Sequence, residues 1–132
     1  MKKWTVKELK ENGYEIENAK ITSVDLSMAD YDCLCLRMVL EGRCWGTTYG
    51  GYSLGHGSLD CKDDFFDGSA KGMESIIRIM AVVGCYRFND MKGQIIRVAA
   101  KRQSDPIKII GNVIEDKWFD AETFYKEAED ES

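Results

Sequence analysis

Eight of the chain's twelve glycines fall between Gly42 and Gly72, and no other feature limits the fold so strongly. In Arg43-Cys-Trp-Gly-Thr-Thr-Tyr-Gly-Gly-Tyr-Ser-Leu-Gly-His-Gly57 they alternate with Trp45, Tyr49 and Tyr52. Glycine admits positive φ and close backbone approach, and large aromatics offer flat faces. Two readings satisfy this pattern. One is a strand edge with bulges that runs into a long turn; the other is a binding loop on which a base or sugar stacks.

The flanking sequence supplies the rest of a fold. Thr5-Val-Lys-Glu8 has the form of a capping box and predicts a short helix over Val6 to Asn12, stopped at Gly13. Asn18 to Leu26 reads as a strand and Ser27 to Asp32 as a polar turn. In Cys33 to Leu40, Leu34, Leu36, Met38 and Leu40 alternate with Cys33, Cys35, Arg37 and Val39, a half-buried strand. Glu41-Gly42-Arg43 turns it back into an antiparallel strand from Arg43 to about Tyr52. Ser53 to Gly68 is too rich in Gly and Asp for regular structure. Ser69 then caps the best helix, with Met73, Ile76, Ile77 and Met80 as its core stripe and Lys71, Glu74, Ser75 and Arg78 on the outer side, ending at Gly84.

After a turn at Asn89 to Gly93, Gln94 to Lys101 and Ile107 to Ile114 read as strands hinged at Arg102 to Pro106. Trp118-Phe119 reads as a plug closing the core. Asp120 caps a last helix through Ala128. The expected fold class is α+β: an about five-stranded, largely antiparallel sheet packed by one long amphipathic helix, with short terminal helices. At 132 residues and 44% hydrophobic content this is one domain, residues 1–132, with a helical extension over 1–15 and an acidic, frayed tail over 127–132.

Charge and cysteine usage narrow the function classes. Residues 115–132 hold eight acids and two bases, so the net charge of -5 belongs to the C-terminal end, and the first 114 residues carry +1. A local anion site on the body is therefore compatible with the low pI, whereas no basic block suited to nucleic acid occurs. No apolar run approaches the ~20 residues needed to span a bilayer, and the N-terminus lacks the apolar segment of a signal peptide, which points to the cytoplasm. Five cysteines, with no Cys-x-x-Cys pair and one histidine, argue for reduced thiols rather than a zinc cluster or a disulfide framework. Cys33 and Cys35 share one strand face, too near along the chain for an ordinary bridge.

His56 lacks a nucleophile or carboxylate at hydrolase spacing, and the glycines match neither a dinucleotide fingerprint nor a P-loop. Asp60, Asp63, Asp64 and Asp67 lack EF-hand spacing and read as a solvated acidic turn. The cations Arg37, Arg43, Lys71, Arg78, Arg97 and Lys101 lie on predicted strands or the polar helix face, and an arginine fork matches phosphate. The residues thus describe a binding domain with neither metal nor cofactor.

Short motifs in order over residues 18–125 resemble one phage family. They are Cys33-Leu34, Trp45-Gly46, Gly50-Gly51-Tyr52-x-Leu54-Gly55, Gly72-Met73-Glu74 with Ile79-Met80 and Val83-Gly84, Lys92-Gly93 with Arg97-Val98, and Ile110-Gly111-Asn112-x-Ile114-x-Asp116-Lys117-Trp118-Phe119. The family is the first class of anti-Thoeris proteins. The chain departs from it at Thr47-Thr48-Tyr49, where a more Gly-rich run is expected. The resemblance implies a non-enzymatic viral sponge, in the host bacterial cytoplasm, that sequesters cyclic ADP-ribose isomers made by TIR-domain enzymes, and in some members cyclic oligonucleotides. It also implies an α+β homo-oligomer, from a dimer up to a hexamer, with pockets built partly between subunits from aromatics and arginines. On the matching segments the candidate ligand residues are Arg43, Trp45, Tyr49, Gly50, Gly51, Tyr52, Lys71, Arg78, Phe88, Arg97 and Lys101. The alternative is a viral inhibitor that binds a host defence protein through its acidic tail and open strand edges.

Overall fold

A computed structural model describes residues 2–30, 32–59, 66–102 and 104–130, without the side chains of 29, 30 and 128–130. The chain is α+β. Its elements are α1 (Val6–Glu11), β1 (Glu15–Asp30), β2 (Cys33–Gly42), β3 (Trp45–Gly57), β4 (Phe66–Gly68), α2 (Ala70–Val83), a 3-10 turn at Phe88–Met91, β5 (Ile95–Ala100), β6 (Ile109–Gly111), β7 (Trp118–Asp120) and α3 (Ala121–Asp130). The strands form one seven-stranded sheet in the order β4-β3-β2-β1-β5-β6-β7, antiparallel at every junction.

The sheet is larger than the expected five strands. The segment 27–32 expected as a turn is mostly strand, because β1 continues through Ser27 and pairs it with Cys35, and Asp30 with Cys33. The expected irregular stretch after Ser53 extends β3 to Gly57, and β4 folds back on it with Gly55 opposite Gly68 and His56 opposite Asp67. Trp118–Asp120 pairs with Ile109–Gly111 as a further strand. Asp60, Asp63 and Asp64 of the acidic turn lie outside the described residues.

The glycine-rich run is thus a strand that pairs with β2 along its length and with β4 only over Gly55–Gly57, and along its edge portion it is bulged. Arg37 pairs with Gly50 but Cys35 with Ser53, so Gly51 and Tyr52 together oppose Leu36. Gly50 (φ 110°) and Gly51 (φ 84°) supply the positive φ that this needs. Without the extra residue, Tyr49 and Tyr52 would point to opposite faces, since side chains alternate along a strand. The bulge restores parity, and their ring centroids lie 6.5 Å apart.

α2 covers the face formed by Ile21, Leu36, Met38, Leu40, Tyr49, Ile96, Val98, Ile110 and Phe119. Ser69 caps it by accepting from the Gly72 amide at 2.9 Å, and Gly84 closes it in a left-handed conformation. It is rolled partway from the expected orientation, with Ile76 and Met80 still packed against the core. A Cβ on Gly72 would stand 2.6 Å from the Ser53 carbonyl oxygen and 2.9 Å from Leu54 Cα, so the helix crosses β3 where it has no side chain. With Gly72 against the sheet, Ser75, Ile79, Val82 and Val83 follow it inward. The Ser75 hydroxyl donates to Gly72 O at 2.6 Å, which makes its burial tolerable. Met73 and Ile77, expected in the core, roll out to 57% and 67% exposure.

On the other face, α1 seals a smaller cluster of Leu9, Ala99, Ile109 and Trp118. β7 therefore closes both cores, Phe119 facing one and Trp118 the other. Asp116 Oδ1 accepts from Trp118 Nε1 at 2.6 Å and from the Val6 amide at 2.9 Å, while Asp120 Oδ2 accepts from Trp4 Nε1 at 3.0 Å. Asp120 caps α3 through the Thr123 amide, and the helix runs to Asp130, so 127–130 is helical where fraying was expected.

Candidate cation and aromatic site

Four of the candidate ligand residues come together where α2 crosses β3 under α3. Lys71 Nζ lies 4.0 Å from the centroid of the Phe124 ring, and Arg78 Cζ lies 5.5 Å from it. Tyr52 stacks on Tyr125 at 4.7 Å and 20°. Tyr49 meets the edge of Tyr52 from below. Arg78 Nε also donates to Glu74 at 2.7 Å, an i, i+4 pair that holds the Glu74 carboxyl below its usual range.

Burial governs the chemistry of these tyrosines. Tyr49 is 1% exposed, and burial, reinforced by its neighbours Tyr52 and Tyr125, pushes its phenol well above the ordinary value. Burial likewise raises Tyr52 and Tyr125. The Tyr49 hydroxyl is buried without a hydrogen-bond partner among the described residues. Ser75 Oγ is close enough to pull the Tyr125 phenol the other way; its hydrogen goes to Gly72 O, which leaves its lone pairs facing Tyr125. Tyr49, expected to present a face to a base, is sealed in the core and presents none in this conformation.

The remaining candidates are dispersed. Arg97 lies on the opposite side of the sheet, where its Nε donates to Asn112 O at 2.7 Å, its guanidinium reaches Glu115 O at 2.9 Å, and its plane lies over Trp118. It fastens the β6–β7 connection, a structural occupation that differs from the expected phosphate role. Arg97→Lys should consequently cost about 1 to 2 kcal/mol in urea unfolding, since a lysine cannot hold both carbonyls in one fork, and should leave ligand capture unchanged. Lys101 lies over the Tyr14 ring at 5.1 Å. Phe88 packs half-buried against the core, and Arg43 is exposed in the β2–β3 turn. Gly50 and Gly51 form the bulge.

Trp45 takes part in a separate feature. Its indole lies against Gly42 and donates to Glu17 Oε2 at 3.0 Å. It borders a groove of about 470 Å³ whose charged lining is Glu15, Glu17 and Asp105 against the single cation Arg102. Three carboxylates make this groove a poor host for phosphate, so Trp45 and Arg78 do not serve one ligand site. A second depression, about 500 Å³, is apolar and lies along α2 at Ile77, Met80, Ala81, Gly84, Cys85 and Tyr86, with Tyr86 fully exposed.

Sequence reasoning missed Phe124 and Tyr125, whose contacts are with Arg78, Lys71 and Tyr52, far away along the chain; only their position on one helix was legible. His56 is exposed opposite Asp67. Cys33 and Cys35 do share a face, with their Sγ atoms 3.7 Å apart. Among the described residues, no group of three or more His, Cys, Asp or Glu side chains is placed to hold a metal ion, and no helix is long and apolar enough to cross a membrane. No protein-family model, no curated protein and no solved structure matches the chain.

Proposed function

We propose that the protein is a non-enzymatic viral sponge that captures a cyclic nucleotide, a cyclic ADP-ribose isomer or a cyclic oligonucleotide, and so withholds an immune signal from bacterial antiphage defence in the host cytoplasm. The observation that carries this reading is the convergence of Lys71 and Arg78 on the aromatic surface of Tyr52, Phe124 and Tyr125. A planar base needs a flat apolar face, and its phosphates need fixed cations. The motifs shared with the first class of anti-Thoeris proteins favour the same ligand class. Purified protein mixed with a panel of cyclic nucleotides and washed on a small-molecule filter should release one of them intact on heating. His56→Ala should capture as much as the parent. An altered product would make the protein an enzyme, and no retained nucleotide would overturn the sponge.

The sponge is proposed to work as a homo-oligomer, and the exposed apolar face of α2 at Met73 and Ile77, with Tyr86 just past the helix end, supports a second copy as its cover. Light scattering at micromolar concentration should then give a mass above the 15.0 kDa of one chain, and Met73→Asp with Ile77→Asp should return it to that mass without loss of circular dichroism. The same apolar face also favours a second reading, a protein-binding inhibitor of a host defence protein. A parent chain that stays monomeric and retains no nucleotide would support it.

A further inference from the structure

We propose that the surface of α2 and β3 beneath α3 is a binding site for a planar aromatic anion, and that Phe124 and Tyr125 fill it in this structure as a built-in competitor. The assignment of Lys71, Arg78 and Tyr52 rests on the functional reading above; the occupancy by α3 is new. Tyr125 lies nearly parallel to Tyr52 at stacking distance, where a base would lie. Lys71 and Arg78 approach the Phe124 ring; a phosphate there would meet Lys71 directly and would compete with Glu74 for Arg78. The chain that carries the two rings is itself acidic. Residues 120–132 hold Asp120, Glu122, Glu127, Glu129, Asp130 and Glu131 against Lys126 alone. Its two rings cover an aromatic surface flanked by cations, while Asp120 and Glu122 engage Trp4, Thr123 and Lys108.

The fit of the competitor is incomplete, and that is what makes it displaceable. Among the described residues the Tyr49 hydroxyl is buried without a partner, so the closed arrangement leaves a polar group unsatisfied that a ligand or water would serve. α3 is held at its start, where Asp120 accepts from Trp4 Nε1, from the Thr123 amide and from Thr123 Oγ1 at 2.7 Å. Past that cap Phe124, 1% exposed, and Tyr125 are its inward contacts, and a ten-residue helix is marginal once such packing is lost. Asp120 is therefore the pivot, and outward rotation of α3 exchanges those two rings for a ligand on Tyr52 and Lys71, beside Arg78, whose side chain is already 43% exposed.

Adenosine diphosphate, a purine with two phosphates, is a suitable probe. Tyr125→Ala removes the competing ring and leaves the cations in place, so by calorimetry it should bind the probe at least tenfold more tightly than the parent does. Adding Lys71→Gln and Arg78→Gln to that variant should abolish the gain. In the parent, the probe should speed hydrogen exchange at amides 121–127 and leave α1 unchanged. A folded Tyr125→Ala chain that binds no more tightly than the parent would overturn the proposal; should that variant fail to fold, unchanged exchange in the parent's α3 would do so. The outcomes separate from those of the sponge test. Capture of a cyclic nucleotide by the parent with no gain from Tyr125→Ala sinks only the competitor, whereas a gain with adenosine diphosphate and no cyclic nucleotide captured sinks only the sponge.

Discussion

Phe119→Ala should lower the free energy of unfolding by about 3 to 5 kcal/mol, read as a fall in urea midpoint at constant slope. The side chain is 1% exposed, packs against Phe124 at 5.4 Å and pairs across the ladder with Ile110. It stands between α2, α3 and the sheet, so neighbouring groups cannot close the void without moving a backbone element. Against a total stability of roughly 5 to 15 kcal/mol for a domain, this loss brings the chain near its limit. Ile114→Ala, on a side chain 86% exposed nearby in the β6–β7 connection, should change the midpoint little. Equal effects from the two would place the core elsewhere.

Gly50→Ala and Gly51→Ala should differ sharply although the residues are neighbours with positive φ. At Gly51 a Cβ meets nothing within 4 Å, so the substitution carries only the conformational cost, about 1 to 2 kcal/mol. At Gly50 the Cβ runs into the Leu36 carbonyl, a backbone atom paired in the ladder. That adds an overpacking cost of about 1 to 3 kcal/mol, for a total near 3 kcal/mol. Thermal unfolding of the two variants side by side tests this. If they lose the same amount, the bulge does not lie where the pairing of Arg37 with Gly50 puts it.

What was legible in the sequence was what depends on near neighbours. The Thr5 cap of α1, the alternation in Cys33 to Leu40, the Ser69 cap and Gly84 stop of α2, and the Asp120 cap of α3 all act within one turn or one strand, and each stands where it was expected. The inward face of α2 was not legible. Met73, Ile76, Ile77 and Met80 make a convincing apolar stripe, but Gly72 decides which stripe faces inward, through a close approach to Ser53 and Leu54 that no helical periodicity encodes. Likewise β4, three residues, exists because the longer β3 templates it, and β7 exists through its pairing with an equally short β6. Of the candidate residues, Tyr52, Lys71 and Arg78 lie near one another, which residue type alone did not show. The bonds of Arg97 were not legible because its partners are carbonyls, which carry no signature in a sequence.

The bond from Trp4 Nε1 to Asp120 Oδ2 spans 116 positions, and that from the Val6 amide to Asp116 spans 110. α1 and the Trp4 beside it therefore wait for β7 and the residues just before it before they find these polar partners. Closing so long a loop is entropically unfavourable and slows folding. The hairpin of β1 and β2 with β3 pairs residues close in the chain and is free to form early, so α1 and β7 should dock in one late step. During translation the apolar side of α1, with Trp4 and Leu9, stays without its cover until the C-terminal segment leaves the ribosome, and that interval is when the young chain is most open to aggregation.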